Sequence, residues 1–223
     1  LCIFFIVTMS INMFITGGRA GQVMYFAMLI IIIFQYNKNG FIKPFLFSFI
    51  SLFLILIIAY NSSALFNSRV NEAINEIVTY KVNKNTSVGQ RLTFTINSFE
   101  IIKKNPFIGV GTGDFKNEYF KVNQILTPEI KTTVNPHNMY VLALVQFGIL
   151  GLIALLSILI LQVKMSLKQK NSNVKYIGLA MPLLYSIIMF SDSYLLGHYT
   201  GMLFIFFSAF LYKNYENENL KKS

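Results

Sequence analysis

Three short stretches carry residue types that could do chemistry. Gly109-Val110-Gly111-Thr112-Gly113 places three glycines in five residues, which permits positive φ and close backbone approach. Successive N–H groups in such a run can form a nest for phosphate oxygens; a tight turn at a membrane surface is the alternative. The G-x-G-x-G spacing is not a dinucleotide fingerprint, because no strand-to-helix unit surrounds it. Asn135-Pro136-His137-Asn138 holds one of two histidines in the chain. A histidine can exchange protons near neutral pH or serve only as an interfacial structural group, and Asn138 also suits a helix N-cap. Arg19 stands among Gly17, Gly18 and Gly21. It either meets a partner closely or snorkels to anchor a turn between two apolar runs. Arg69 and Arg91 are the other arginines, and Glu100, Asp114 and Glu118 are the carboxylates nearest these motifs. Asp192 and His198 bracket a short polar turn farther on.

The elements that must position these groups are apolar. The chain is 54% hydrophobic and 13% charged, against about 25% charged in a typical soluble domain. Its mean hydropathy is +0.55. One cysteine, Cys2, excludes an internal disulfide framework and a thiolate metal cluster, and two histidines argue against a polyhistidine metal site. Apolar runs fall at about 1–16, 20–36, 41–60, 138–163, 176–192 and 196–212, each near the length a helix needs to cross a bilayer. Runs such as Leu29-Ile30-Ile31-Ile32-Ile33-Phe34 lack the alternation of barrel strands. The expectation is an all-α polytopic membrane protein with about six transmembrane helices and one long, partly helical extracytoplasmic loop. Its parts are three spans in 1–60, the loop in 61–137, three spans in 138–212 and a cytoplasmic tail in 213–223. An apolar run beginning at Leu1 without a basic start is read as the C-terminal part of a longer protein.

Basic residues in short loops set the orientation. Lys38, Lys43, Lys164, Lys168, Lys170, Lys175, Lys213, Lys221 and Lys222 all fall at one set of ends, while the opposite short turns carry only Arg19. The lysine-rich ends are assigned to the cytoplasm, and 61–137 to the outside. The net charge of +10 is mostly this signal; no clustered basic face points to nucleic acid. Within the loop, 71–81 and 92–104 show apolar spacing of helical period. Chemistry at the outer face has no direct access to cytoplasmic nucleotides. An enzyme there needs an activated donor already delivered in the membrane.

Several pieces in order resemble a known family. They are Thr16-Gly17-Gly18-Arg19-Ala20-Gly21, Arg91-Leu92-Thr93-Phe94, Asn97-Ser98-Phe99, and Asn105-Pro106-Phe107-Ile108-Gly109-Val110-Gly111-Thr112-Gly113-Asp114-Phe115. His137-Asn138-Met139-Tyr140 and Gln146-Phe147-Gly148-Ile149-Leu150-Gly151 complete the set. Together they resemble the C-terminal part of the O-antigen ligase and O-antigen polymerase family of bacterial membrane glycosyltransferases. There are two departures: Gly18 stands where the family often has Ser, and Thr95 where it often has an aromatic residue.

The resemblance implies a lipid-linked-sugar glycosyltransferase of the bacterial inner membrane, with its catalytic loop on the periplasmic side. The implied donor is a glycan on a polyprenyl diphosphate; the implied acceptor is a lipid A core sugar or a growing polysaccharide. No cofactor or metal is implied. Arg91 and Arg19 would act on the diphosphate, where a guanidinium offers paired donors, with Arg69 a further candidate. His137 would orient or deprotonate the acceptor hydroxyl. Asn138, Gly109, Gly111 and Gly113 would contribute to substrate binding. A transporter or flippase component for lipid-linked glycans is the competing reading, kept open by Pro182 within one apolar run.

The orientation is testable independently of the family. With Cys2 replaced, a cysteine at Asn83 should react with an impermeant thiol reagent from outside, and one at Asn171 only after the membrane is opened. The reverse pattern would overturn the topology.

Overall fold

The computed structural model describes residue 8 and residues 11–12, 19–36 and 42–212. Most of the first apolar run, the Thr16-Gly17-Gly18 motif and the tail after Tyr212 lie outside the described residues. Among the described residues there are eight helices and no strand. They are α1 (Arg19–Tyr36), α2 (Ile42–Ser62), α3 (Ala64–Val78), α4 (Ser87–Lys104), α5 (Phe115–Leu126), α6 (Met139–Leu167), α7 (Ser172–Ile188) and α8 (His198–Leu211). The chain divides into two compact units, Leu1–Val88 and Gly89–Ser223.

The all-helical expectation holds for these residues. The described residues show one clear span and do not by themselves establish six. That helix is α6, whose 29 residues exceed the roughly 20 a span needs and are interrupted at Gly148. α8 is apolar but has 14 residues. α2 and α3 meet at a sharp bend: the axes of Phe53–Ser62 and Ala64–Val78 differ by 108°.

In the first unit, Ser63 ends α2 and caps α3: its side chain accepts from the N–H of Phe66 at 3.2 Å. A serine in extended conformation at that position satisfies a helix-start N–H and lets the axis turn.

In the second unit the core lies between α4, α5 and the first turns of α6. Phe94 and Ile101 of α4, Phe115, Tyr119 and Val122 of α5, and Val141, Leu142 and Val145 of α6 form one buried cluster with Ile130. α5 was not anticipated from the sequence. Phe115, Tyr119 and Val122 recur at i, i+4 and i+7 on its buried side. A buried polar network runs beside this cluster. Asn97 donates to Thr127 Oγ1 at 2.7 Å and to the Tyr119 hydroxyl at 3.2 Å. Asn123 accepts from Thr127 Oγ1 at 3.0 Å and donates to the carbonyl of Ile130 at 2.9 Å. Buried amides are tolerated when bonded in this way.

The glycine run meets a break in α6. Gly148 has φ 63° and ψ −159° inside that helix, which interrupts its ladder. The N–H groups of Val110 and Gly111 donate to the carbonyls of Val145 and Gln146 at 2.8 and 2.9 Å. Ile149 and Leu150 donate in turn to the carbonyls of Pro106 and Phe107 at 2.8 and 3.4 Å. The contact requires two glycines. A Cβ on Gly109 would lie 2.4 Å from the carbonyl carbon of Gln146, and one on Gly148 would lie 2.2 Å from that of Phe107.

This interlock gives a graded expectation. Gly109→Ala adds a backbone overlap to the left-handed strain of its φ of 69°. Gly113→Ala, with φ 92° and nothing within 4 Å of the added carbon, adds only the strain, roughly 1–2 kcal/mol. Thermal unfolding in detergent should show Gly109→Ala clearly the more damaging. Equal losses would mean that the interlock does not hold the loop.

Candidate functional site

The second unit brings Arg91 and His137 to one short segment, residues 189–194. Arg91 is exposed on α4, and its Nη1 donates to the carbonyl of Ser191 at 3.2 Å. Phe94, one turn along α4, stacks on the His137 ring with centroids 6.0 Å apart and planes inclined by 25°. His137 Nδ1 lies 3.1 Å from Asp192 Oδ1. A carboxylate only accepts, so this contact assigns the ring proton to Nδ1 and leaves Nε2 as the lone-pair nitrogen of the neutral ring.

The local chain explains how His137 is presented. Its φ is 54°, the single positive value among described non-glycine residues; histidine enters this region more readily than bulkier or β-branched residues. The His137 N–H donates to Asn135 Oδ1 at 3.0 Å, a side-chain turn that asparagine forms readily. Asn135 also donates from Nδ2 to Asp192 Oδ1 at 3.3 Å and accepts from Ser193 Oγ at 2.6 Å. The Ser193 N–H donates to Asp192 Oδ1 at 2.7 Å. One carboxylate oxygen therefore gathers an amide, an imidazole and a backbone N–H.

α6 and α7 are laced beside this cluster. Met139 N–H donates to the carbonyl of Met189 at 2.9 Å. The Tyr140 hydroxyl donates to the carbonyl of Ser186 at 2.6 Å, and the Tyr140 ring lies 4.6 Å from that of Phe190. Asn138 caps α6, accepting from the N–H groups of Tyr140 and Val141 at 3.0 and 3.1 Å. Its Nδ2 donates to the carbonyl of Phe190 at 3.3 Å. Both ends of that amide are engaged in holding the helix start.

The remaining candidates fall elsewhere. The N–H groups of Gly109, Val110 and Gly111 all donate to backbone carbonyls, so in this structure they are engaged in the turn rather than presented as a phosphate nest. Gly113 stands at the exposed end of that turn. Glu100 pairs with Lys103 at 2.6 Å and Glu118 with Lys121 at 2.5 Å, surface contacts of one helix turn. His198 is exposed at the start of α8. Arg19 and Arg69 belong to the first unit. The backbone of Arg19 opens α1 and its side chain lies outside the described residues. Arg69 pairs with Glu72 at 2.8 Å on α3.

The Asp192 contact escapes sequence reading because 55 residues separate it from His137. The polar turn at 192–198 was noticed, but nothing local indicated which side chain it meets.

Residues 4–156 match the family described as O-antigen ligase, more than half of the chain. The chain belongs to the O-antigen ligase family. Its members are bacterial inner membrane proteins. An uncharacterized protein of Haemophilus influenzae is similar, 30% identical over 216 residues, covering 88% of this chain and 52% of that protein. The chain thus spans about half the length of this curated relative.

The capping role is separable from any other role of Asn138. Asn138→Ala should cost about 1 kcal/mol of stability, and Asn138→Asp, which keeps the accepting oxygen, should recover most of it in thermal unfolding. Equal losses for the two variants would count against the cap.

Proposed function

We propose that the protein transfers a glycan from a polyprenyl diphosphate to a sugar hydroxyl at the outer face of the cytoplasmic membrane. The acceptor is a lipid A core sugar or a growing polysaccharide. The observation that carries this reading is the Arg91–Ser191 and His137–Asp192 pair of contacts, which hangs a permanent cation and an oriented imidazole on adjacent residues. In this reading the topology has six spans, with 61–137 on the periplasmic side and the three spans of 138–212 completing the chain.

The chemistry follows from the two groups. The acceptor oxygen attacks the anomeric carbon as the bond from that carbon to the diphosphate oxygen breaks. The hydroxyl proton passes to Nε2 of His137, and the imidazolium that forms is stabilised by Asp192 through Nδ1. The diphosphate leaves with its electron pair. Arg91, with one donor on Ser191, turns its other guanidinium donors to the phosphate oxygens. Arg19 and Arg69, in the first unit, remain the further candidates for the diphosphate that the sequence alone offers. Direct displacement inverts the anomeric configuration, and no step calls for a metal.

Purified full-length protein with a defined donor and acceptor tests this. Arg91→Ala should nearly abolish transfer, and Arg91→Lys should restore only part, because lysine keeps the charge without the planar pair of donors. His137→Ala should lower the rate by roughly 10²–10⁴-fold with donor binding largely kept. Asp192→Asn should lower the rate with less effect on donor binding than Arg91→Ala. Near-normal transfer by both Arg91→Ala and His137→Ala would defeat the site. Movement of the lipid-linked glycan across vesicles without transfer would favour the transporter reading instead.

A further inference from the structure

α3 leaves the end of α2 at a steep angle and carries apolar residues that stay exposed among the described residues. The axis turns by 108° between Phe53–Ser62 and Ala64–Val78, so α3 runs across the end of α2 rather than prolonging it. Two bonds fix which side of α3 looks back along α2. Asn67 Nδ2 donates to the carbonyl of Tyr60 at 3.2 Å, and the Tyr60 hydroxyl donates to Asn71 Oδ1 at 3.1 Å.

Residues 67, 71, 74 and 78 follow one another along a single helical stripe. The side that faces α2 through its two asparagines therefore continues, beyond the width of α2, as Ile74 and Val78. These are 54% and 76% exposed, and neighbouring Ile77 is 57% exposed. The other side carries Ser68, Arg69, Glu72 and Asn75, with Arg69 and Glu72 paired at 2.8 Å. α2 carries exposed apolar residues of its own in the turns that precede α3: Phe53, Leu54, Ile57 and Ile58. In a member of an inner membrane protein family, that α2 surface is suited to lipid.

We propose that α3 is an interfacial helix. It lies in the membrane surface at the end of α2, with Ile74, Ile77 and Val78 among the acyl chains and Arg69, Glu72 and Asn75 in the headgroups and water. The partner is the lipid surface itself. The depth is that of an amphipathic helix, about 5–10 Å into the headgroup and acyl boundary. Attraction to anionic lipid is not the driving force, because α3 holds one arginine against two glutamates, Glu72 and Glu76. The contact is hydrophobic and independent of salt. It also fixes the height of Arg69 at the headgroup level. This inference needs only a membrane location and is independent of glycan transfer.

Residues 1–223 hold no tryptophan; with any tryptophan elsewhere in the full-length protein replaced by phenylalanine, single substitutions report without background. I74W, V78W and S68W are placed in the full chain, in phosphatidylcholine nanodiscs with or without lipid brominated high on the acyl chain. Brominated lipid should quench I74W and V78W strongly and S68W weakly. Iodide should quench S68W severalfold more than the other two, with the brominated-lipid pattern unchanged as salt rises. Equal iodide quenching of all three would overturn the proposal. So would I74W and V78W shielded from iodide yet unquenched by brominated lipid, because protein would then cover that face. Two separate apolar positions keep the test decisive if one variant accumulates poorly.

Discussion

A break in a long apolar helix must be paired, and the second unit depends on how this one is. Interrupting α6 at Gly148 releases the carbonyls of Val145 and Gln146 and the N–H groups of Ile149 and Leu150 from their helical partners. Lipid offers no replacement, and unpaired backbone in an apolar setting costs several kcal/mol per group. The segment 106–111 supplies all four partners from its own backbone. Docking that segment brings the end of α4 and the start of α5 onto α6. The aromatic cluster around Tyr119 then closes over the first turns of α6.

From there the site is a consequence of packing. α4 is held against α6, so Arg91 and Phe94 reach the segment that follows α7 and the ring of His137. The start of α6 is tied to the end of α7 by Met139, Tyr140 and Asn138. Asp192 therefore arrives opposite His137 through the meeting of two helix ends rather than through a local loop. A left-handed backbone at His137 costs of order 1–3 kcal/mol and persists when its surroundings over-determine it. Asn135 does this twice, by accepting the His137 N–H and by bonding to Asp192 and Ser193.

The sequence made some of this legible. Helical character followed from uninterrupted apolar runs, and α1, α2, α6 and α8 begin within about two residues of the expected runs. The basic pair at Lys103 and Lys104 with Asn105-Pro106 marked the end of α4. Asn138 had two open roles, and the structure shows it as a cap. The glycine run had two open roles as well, and its first three N–H groups are engaged in the turn. Gly148 lies in a separate motif, and only three-dimensional pairing shows that Gly109 and Gly148 make room for each other's backbone. The same holds for Asp192. Periodicity reports which face of a helix is apolar; it carries no information on which distant turn a polar side chain will meet.

That division bears on what the motifs are for. Gly109-Val110-Gly111 and Gln146-Phe147-Gly148 contain the residue types of a ligand loop, yet the segments that hold them, 106–111 and 145–150, pair backbone to backbone. Their contribution to the proposed glycan transfer is positional: that reading needs donor and acceptor held within a fraction of an ångström, and rigid supports around reacting groups supply much of such ordering. In this chain the support is backbone-to-backbone pairing between a loop and a broken helix. It uses no side chain that could also titrate or bind an ion. The imidazole of His137 and the guanidinium of Arg91 are thereby left partly accessible at the surface of a packed unit, each with one structural partner and with donors or a lone pair in hand.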